Sequence, residues 1–186
     1  MRKEIKTQAI FLPLPVLMVT TKNEDGSANV MNAAYGTLAD FHTVCLFIGD
    51  GKKTIRNVER TKAFTVSFCD RNHVADADYV GMTSGNRLAH KLEKTSFEVE
   101  DASHVDAPTI TNLPLAMECE LVSYDPKSSQ LLGKIRGISC DDRYLREDGS
   151  IDVSGMHLLF FNSAENSYHQ LGDFVQKSFQ KVEESI

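Results

Sequence analysis

The apolar residues of this chain fall mostly into short runs, which turn-forming residues separate. Runs of this length that are rich in β-branched and aromatic side chains are typical of β-strands. Seven segments show the pattern: residues 16–21, 29–35, 44–48, 64–68, 115–121, 131–140 and 156–161. Between the first two, Asn23 and Asp25 precede Gly26, which can adopt a positive φ angle, so a β-hairpin is predicted there.

The fifth and sixth of these segments predict a long pair of antiparallel strands. In the fifth, apolar residues occupy the odd positions while Glu118 and Glu120 occupy even ones. This period of two predicts a strand with one face in water. A turn that begins at Asp125 then leads to the return strand, in which Gly133 and Gly137 are expected to mark bulges or a barrel bend.

Helical periodicity is confined to a few peripheral segments. Ile55 and Val58 are spaced as on one helix face, with Thr54 as a candidate N-cap. Short helices are predicted over residues 52–61, 72–80 and 86–94, and a terminal helix over about 173–185. Because long helices do not alternate with the strands, the pattern favours an all-β antiparallel barrel with peripheral helices over a parallel α/β sheet.

Composition places the chain among ordinary globular proteins, with 41% hydrophobic and 25% charged residues. Its 186 residues fit one domain over 1–186 with a core of its own. The formal charge of −6 argues against a nucleic-acid binder, which needs a basic face. No apolar run approaches the ~18 residues that cross a bilayer. Pro13 and Pro15 interrupt the N-terminal run, so no signal peptide is expected and the cytoplasm is the expected location.

The cysteines and histidines are scattered along the chain. Cysteines occur in four strand-like runs: Cys45, Cys69, Cys119 and Cys140. None forms a CxxC pair, so each is expected to be a small buried hydrophobe, with a redox or catalytic thiol as the alternative. No HExxH pair is present, and no metal site is predicted.

The segment after the third strand carries the first candidate chemistry. Gly49 and Gly51 end the strand, and Lys52, Lys53 and Thr54 then lead into a helix. Free backbone N–H groups at a helix start, combined with two cations, favour an anion and especially a phosphate. The spacing does not match a Walker A loop. A solvated basic turn is the alternative interpretation.

The second candidate lies in the second strand. Ala33 and Ala34 stand between polar Asn32 and aromatic Tyr35, so a flat ligand could approach the backbone closely. Small residues packed inside a barrel strand are the alternative. The chain has no Gly-rich Rossmann fingerprint, no GxSxG elbow and no credible Ser-His-Asp order. The residues alone therefore indicate a β domain able to bind an anion.

The order of these segments resembles the flavin reductase-like, FMN-binding split-barrel family, and within it the flavoredoxin branch. The matching pieces span nearly the whole chain: residues 13–21, 25–35, 53–57, 63–67, 78–81, 84–85, Lys91, 105–108, 117–121 and 168–172. Each motif alone is weak, and their shared order and spacing carry the resemblance. Relatives often have Arg where Lys53 stands, Asn where Ser67 stands and Phe where Leu92 stands.

The resemblance implies a six-stranded split barrel that forms a homodimer and binds FMN, or FAD, noncovalently near the subunit interface. Twelve residues are implied as cofactor-binding: Asn32, Ala33, Ala34, Tyr35, Ile48, Gly49, Lys52, Lys53, Thr54, Ser84, Gly85 and Lys91. The ring is expected along the first six and the phosphate near Lys52, Lys53 and Thr54. The last three, Ser84, Gly85 and Lys91, are expected to close over the flavin. Tyr35 and residues 168–172 are candidates to cover the flavin at the interface. No catalytic acid or base is assigned.

Two function classes follow from the resemblance. One is an NAD(P)H-dependent flavin reductase, which delivers reduced flavin to another enzyme. The other is a flavoredoxin-like carrier, which retains its FMN and receives electrons from a redox protein partner. A flavin-binding module without a physiological donor is a third option. The sequence leaves the donor, the acceptor and the choice between NADH and NADPH open.

Overall fold

The computed structural model describes residues 1–6 and 10–178. The strands are β1 (Leu14–Pro15), β2 (Leu17–Lys22), β3 (Ala28–Ala33), β4 (Gly36–Asp40), β5 (Thr43–Phe47), β6 (Ala63–Phe68), β7 (Val99–Asp101), β8 (Pro108–Ile110), β9 (Leu115–Asp125), β10 (Gln130–Cys140), β11 (Leu159–Asn162) and β12 (Ser167–Gln170). The α-helices are α1 (Lys53–Thr61) and α2 (Val74–Met82), and 3₁₀ turns cover Arg71–His73, Lys91–Lys94 and Asp142–Tyr144. None of the helices in these ranges is long and apolar enough to cross a membrane.

The main sheet is antiparallel and curled. Its seven strands follow the order β3-β2-β6-β9-β10-β5-β4. The two edges, β3 and β4, are consecutive in the chain and are separated only by Ala34 and Tyr35. One bent stretch of chain therefore forms both edges of the sheet, and counting it as one strand gives six. The predicted antiparallel barrel with peripheral helices is confirmed.

Alternate residues of the main sheet point into the barrel and form its core. The buried side chains there are Leu17, Val19, Ala33, Val44, Leu46, Ile48, Phe64, Val66, Met117, Cys119 and Leu131. Ile55 and Val58 of α1 join this core, as their spacing predicts. The apolar face of α1 is therefore turned toward the barrel, and its cationic side chains face outward.

A second core lies on the outer face of β2 and β3. Met18 and Val30 pack there against Ala77 and Val80 of α2. Helices α1 and α2 thus lie on either side of β3. The N-terminus of α1 and the C-terminus of α2 border a shared groove, which is the candidate site described below.

The predicted bulges in the long strand pair are confirmed. The register between β9 and β10 shifts at Gly133 and again between Ile135 and Gly137. A Cβ atom at Gly133 would lie 2.3 Å from Cζ of Phe64, and one at Gly137 would lie 2.5 Å from Nδ1 of His104. Glycine is thus required at position 133, where the buried Phe64 ring fills the space, whereas at position 137 a larger residue would displace the partly exposed His104 ring.

Three local predictions are wrong. Thr54 is not the N-cap, because α1 begins at Lys53 and Thr54 is buried inside the helix. Only the 3₁₀ turn Lys91–Lys94 forms within the predicted helix 86–94. The strand predicted over 156–161 begins later, at Leu159, because Met156 instead closes a turn by donating its N–H to the Asp152 carbonyl.

The prediction that Glu118 of β9 faces water is also wrong. Glu118 is only 5% exposed, because the loop that contains Ser103 and His104 folds over it. The Glu118 carboxylate accepts hydrogen bonds from the backbone N–H groups of Ser103 at 3.3 Å and His104 at 2.6 Å. The Glu118 carboxylate therefore anchors this loop and does not face water.

The predicted terminal helix is not seen in the residues that the structure describes. Residues 171–178 are irregular, so the described part of the predicted helix at 173–185 is not helical, and residues 179–185 lie outside the described residues.

Three of the four cysteines are buried. Cys45, Cys69 and Cys119 are buried as predicted, whereas Cys140 is half-buried. Burial raises the pKa of the Cys69 and Cys119 thiols to about 12, which keeps them protonated.

Candidate binding groove between α1 and α2

The groove between α1 and α2 consists of two adjoining hollows that share Asn32 and Gly81. The first, called the polar hollow, has a volume of about 60 Å³. Seven of the residues predicted for the site line it: Asn32, Lys52, Lys53, Thr54, Ser84, Gly85 and Lys91. The second, called the apolar hollow, has a volume of about 180 Å³ and is lined by Asn32, Ala34, Asp78, Gly81, Met82, Phe161 and Tyr168.

The N-terminus of α1 opens into the polar hollow. The N-cap residue is Lys52, and its side chain makes no capping hydrogen bond. The first turn of α1 contains no acidic residue. The first N–H groups of a helix have no intrahelical partner, and the helix dipole makes this end positive. The polar hollow thus has uncapped donors where an anion would be stabilised.

Three lysines add positive charge to the same hollow. Lys52 is exposed, Lys53 is half-buried and Lys91 is only 3% exposed. Burial, with smaller contributions from the nearby Lys52 and Lys53 charges, lowers the pKa of Lys91 to about 8. Within the described ranges, none of the three ammonium groups lies within 4 Å of a carboxylate, the limit for an ion pair. Their charge is therefore left to be balanced by a ligand.

Lys91 also fixes the wall that α2 forms. Its ammonium donates hydrogen bonds of 2.7 Å to the carbonyl oxygens of Val80 and Thr83. These carbonyls lie at the end of α2, where a cation is favourable. An ammonium has three donors, so one N–H of Lys91 remains to face the hollow.

A neutral network holds α1 on the opposite side. The side-chain amide of Asn29 donates to the hydroxyl oxygens of Thr54 at 3.1 Å and Thr21 at 3.2 Å. The amide of Asn57 donates to Thr21 at 3.1 Å and to the amide oxygen of Asn23 at 2.9 Å. Because the Thr54 hydroxyl accepts from Asn29, its own hydrogen is free to be donated into the polar hollow.

Two glycines let the walls come close together. A Cβ atom at Gly85 would lie 2.4 Å from Oδ1 of Asn29 and 3.3 Å from Cδ of Lys53. A Cβ atom at Gly81 would lie 3.2 Å from Cβ of Asn32. The absence of a side chain at Gly81 therefore lets the last turn of α2 pack closely on β3, and its absence at Gly85 lets the following loop pack against Asn29 and Lys53.

The apolar hollow is bordered by a hydrogen-bonded tyrosine. The Tyr168 hydroxyl donates to Oδ1 of Asp78 at 3.0 Å and accepts from Nδ2 of Asn32 at 3.4 Å. Burial, with the Asp78 carboxylate as a second cause, raises the pKa of Tyr168 to about 12. Tyr168 is thus a neutral phenol near neutral pH. The Asn32 amide also donates to the Ala77 carbonyl at 3.1 Å, which ties β3 to α2.

A groove that joins an anion-binding end to an apolar end suits a ligand with both characters, and comparison with known proteins gives the family. The model of the flavin reductase like domain matches residues 10–169, which is most of the chain. The chain belongs to the flavin reductase-like domain family. The resemblance inferred from the sequence is confirmed.

Several solved structures share the fold of this chain. Flavoredoxin of Desulfovibrio vulgaris (Miyazaki F) is 28% identical, with a TM-score of 0.91 and coverage of 96% of this chain and 98% of that one. Flavoredoxin from Methanosarcina acetivorans is 23% identical, with a TM-score of 0.84 and coverage of 96% and 97%. An FMN-binding domain of a flavin reductases-like enzyme from Shewanella baltica is 18% identical, with a TM-score of 0.76 and coverage of 88% of each chain.

Four residues predicted for the flavin site lie outside the groove. The side chains of Ala33 and Ile48 belong to the barrel core. Gly49 is exposed, and a Cβ atom there would have open space around it; Tyr35 is 52% exposed. The eight others line the groove: Asn32, Ala34, Lys52, Lys53, Thr54, Ser84, Gly85 and Lys91.

Several groove residues were missed from the sequence. Asn29, Gly81 and Asn86 line the polar hollow, and Asp78 meets Tyr168 beside the apolar one. The hydrophobic pattern places Asn29 only in a strand, although a buried amide in an apolar strand requires a hydrogen-bond partner. The pairing of Asp78 with Tyr168 spans 90 residues, and no local pattern reveals it.

Proposed function

We propose that the groove binds FMN, with the phosphate in the polar hollow and the ring system toward the apolar hollow. The observation that carries this proposal is the convergence of three lysines on the uncapped start of α1. A phosphate is a common ligand of helix N-termini with adjacent cations. The apolar hollow next to it offers the Ala34, Met82 and Phe161 side chains to a flat aromatic ring.

Five residues of the polar hollow would contact the phosphate in this proposal. Lys52, Lys53 and Lys91 neutralise the phosphate charge, and the hydroxyls of Thr54 and Ser84 donate hydrogen bonds to its oxygens. Lysine offers one point charge where an arginine would offer a planar fork. FMN can also be replaced in this scheme by FAD, which carries the same phosphate next to the ribityl chain.

The activity we propose is that of an oxidoreductase that transfers hydride or electrons from NAD(P)H to flavin. When bound, FMN supplies the hydride and electron chemistry itself. The protein positions the ring and limits the access of water to it. Tyr168 stays protonated and donates its hydrogen to Asp78. The pair therefore holds a neutral hydroxyl in a fixed orientation near the ring end of the groove.

A flavoredoxin-like carrier with a retained FMN is the second candidate. It is favoured by the similarity to the Desulfovibrio flavoredoxin, which extends over nearly the full length of both chains. In this case the electrons arrive from a protein donor. Stopped-flow absorbance of FMN-loaded protein mixed with NADH or NADPH separates the two candidates. Rapid bleaching of the flavin is expected for the reductase, and no bleaching would favour the carrier.

A homodimer would shield the flavin ring in this proposal. The edge strand β4 and its turn expose Leu38 at 56% and Phe41 at 94%. An apolar cavity of about 280 Å³ lies beside this edge, lined in part by Leu38, Val44 and Ile138. Burial of such surface by a second copy stabilises the pair by about 25 cal/mol per Å². Sedimentation over a dilution series, with and without FMN, tests this, and FMN should strengthen the dimer.

The binding proposal is tested by titrating the purified chain with FMN and with riboflavin. Lys53→Ala is expected to weaken FMN about tenfold and riboflavin by less than twofold, since only FMN carries the phosphate. Arg71→Ala, an exposed cation that lines neither hollow, is the matched control. Equal losses for both ligands would remove the phosphate role of Lys53.

A further inference from the structure

A short loop forms part of the wall of the polar hollow. It covers residues 83–90, between the end of α2 and the 3₁₀ turn that begins at Lys91, and is called the cover loop below. Three of its residues, Ser84, Gly85 and Asn86, line the polar hollow together with the start of α1. A ligand group in the polar hollow would therefore lie between the cover loop and α1.

The cover loop is held together by its own hydrogen bonds and is anchored at its α2 end. The Ser84 carbonyl accepts from the backbone N–H of Arg87 at 3.0 Å, and the Ser84 hydroxyl accepts from the N–H of Asn86 at 3.3 Å. At the α2 end, the Lys91 ammonium donates to the Thr83 carbonyl at 2.7 Å. Because Lys91 is only 3% exposed, this anchor is protected from water.

The other attachment of the cover loop is the side chain of Asn86. Its amide nitrogen donates to the Gly51 carbonyl at 2.9 Å, and its amide oxygen accepts from Nη2 of Arg56 at 2.5 Å. Gly51 directly precedes Lys52, the N-cap of α1, and Arg56 lies within α1. One amide thus bridges from the cover loop to the α1 wall, and Arg56 fixes which way this amide points. These two hydrogen bonds are called the Asn86 clasp.

The Asn86 clasp differs from the Lys91 anchor because it lies in water. Asn86, Gly51 and Arg56 are all exposed. Water can replace each partner in an exposed hydrogen bond, so the net stabilisation from such a bond is modest. The clasp can therefore open without unfolding the chain, while the buried bond from Lys91 still holds the α2 end of the loop.

The polar hollow is narrow while the clasp is closed. Its volume is about 60 Å³, against about 180 Å³ for the apolar hollow. Gly85 lies so close to the α1 side that a Cβ atom on it would be 2.4 Å from Oδ1 of Asn29. Movement of the cover loop away from α1 would widen this end of the groove.

We propose that the Asn86 clasp gates the phosphate end of the groove and sets how long the flavin stays bound. The closed clasp holds Ser84 and Gly85 over the phosphate, and the open clasp lets the phosphate enter and leave. Asn86 is a positioning residue in this scheme, because it acts through the cover loop. The inference rests on the proposed flavin site and adds the rate of flavin exchange, which separates a retained FMN from an exchanging one.

Stopped-flow fluorescence of flavin binding to wild type and Asn86→Ala tests this inference. For FMN, the association and dissociation rate constants should both rise about fivefold, with Kd changed by less than twofold, because a gate affects passage in both directions. Loss of a simple ligand contact would instead raise the dissociation rate constant alone. Riboflavin has no phosphate to pass the cover loop, so both of its rate constants should change by less than twofold.

Arg87→Ala is the matched control within the same loop. Arg87 is the exposed neighbour of Asn86 and lines neither hollow of the groove. Its substitution leaves the backbone N–H that bonds to Ser84 in place. The rate constants of Arg87→Ala for FMN and riboflavin should therefore match those of wild type.

Three results with Asn86→Ala would overturn the inference: unchanged FMN rate constants, faster dissociation with unchanged association, or an equal acceleration for riboflavin. A wild-type chain that binds no FMN would contradict the proposed function and the gate together, whereas FMN binding with unchanged rates in the variant removes the gate alone. If circular dichroism shows that Asn86→Ala does not fold, Arg56→Lys replaces it. Lysine keeps the charge but not the planar fork that orients the amide, so both FMN rate constants should rise about threefold, and wild-type rates would again overturn the inference.

Discussion

The two walls of the groove are held by different kinds of interaction. On the α1 side, neutral amides and hydroxyls of Asn29 and Thr54 bond to one another. On the α2 side, the buried ammonium of Lys91 bonds to the carbonyls of Val80 and Thr83. Both walls border the same polar hollow.

The α1 wall is therefore positioned by neutral groups, whereas the α2 wall is positioned by a charged group. The neutral network does not titrate in the physiological range, so it fixes α1 at any ordinary pH. Lys91 both holds the α2 wall and contributes a charge to the hollow, and burial makes that charge costly. Anion binding should therefore be coupled to protonation on the α2 side only.

The largest effect is expected where the two walls come closest. Gly85→Ala would place a Cβ atom 2.4 Å from Oδ1 of Asn29, which is held by the α1 network. Overpacking of this kind costs about 1–3 kcal/mol. We expect FMN affinity to fall about 30-fold, equivalent to roughly 2 kcal/mol, in a fluorescence titration.

Substitutions at two other glycines provide comparisons for Gly85→Ala. Gly81→Ala meets Cβ of Asn32 at 3.2 Å, a milder approach, so its effect should be smaller. Gly172→Ala has no atom within 4 Å and should leave binding unchanged. If all three variants bind FMN equally well, the close approach of the walls has no part in the site.

The next largest effect is expected at Lys91, which contributes a charge and also supports the α2 wall, whereas Lys52 contributes only a charge. Lys91→Met is expected to weaken FMN about tenfold, roughly 1.4 kcal/mol, and to weaken riboflavin as well, because the Val80 and Thr83 carbonyls lose their donor. Lys52→Met removes an exposed charge and should weaken FMN alone. Identical ligand profiles for the two variants would show that Lys91 acts only through its charge.

The contrast between the walls also shows what sequence patterns can predict. The barrel, the β2–β3 hairpin and the bulges at Gly133 and Gly137 follow from alternation and glycine placement, which are local signals. The lysines at the start of α1 were found because helix-start chemistry is local too.

Long-range pairing explains what the patterns missed. Glu118 looked solvent-facing because nothing near it in sequence indicates that the loop at His104 covers it. Thr54 looked like a cap, yet its hydroxyl serves Asn29, which lies 25 residues away. The resemblance implies Lys91 as a cofactor-binding residue but does not reveal that it also holds the end of α2. Its two hydrogen bonds there depend on how the 3₁₀ turn Lys91–Lys94 packs against α2.

A smaller effect is expected from the neutral wall. Thr54→Val keeps the shape of a side chain that is 2% exposed but removes the acceptor for the Asn29 amide. Loss of one such hydrogen bond should lower the free energy of unfolding by about 1 kcal/mol, measured by urea denaturation. The cost should be the same at pH 7 and pH 9, since neither partner titrates. A cost that changes with pH would contradict the neutral character of this wall.

The smallest predicted effect is the pH dependence of binding. The pKa of Lys91 is lowered to about 8, below the ordinary value of 10.5, chiefly by burial and then by Lys52 and Lys53. In this range the unfolded chain binds more protons than the folded one, so this group adds stability as pH rises from about 8 toward 10.5. Phosphate binding has the opposite sign, because it needs the charged ammonium. We expect FMN affinity to fall about threefold between pH 7 and pH 9, with riboflavin nearly constant. In Lys91→Met the difference between the two ligands should no longer change with pH. A slope that persists in that variant would assign the titration to another group.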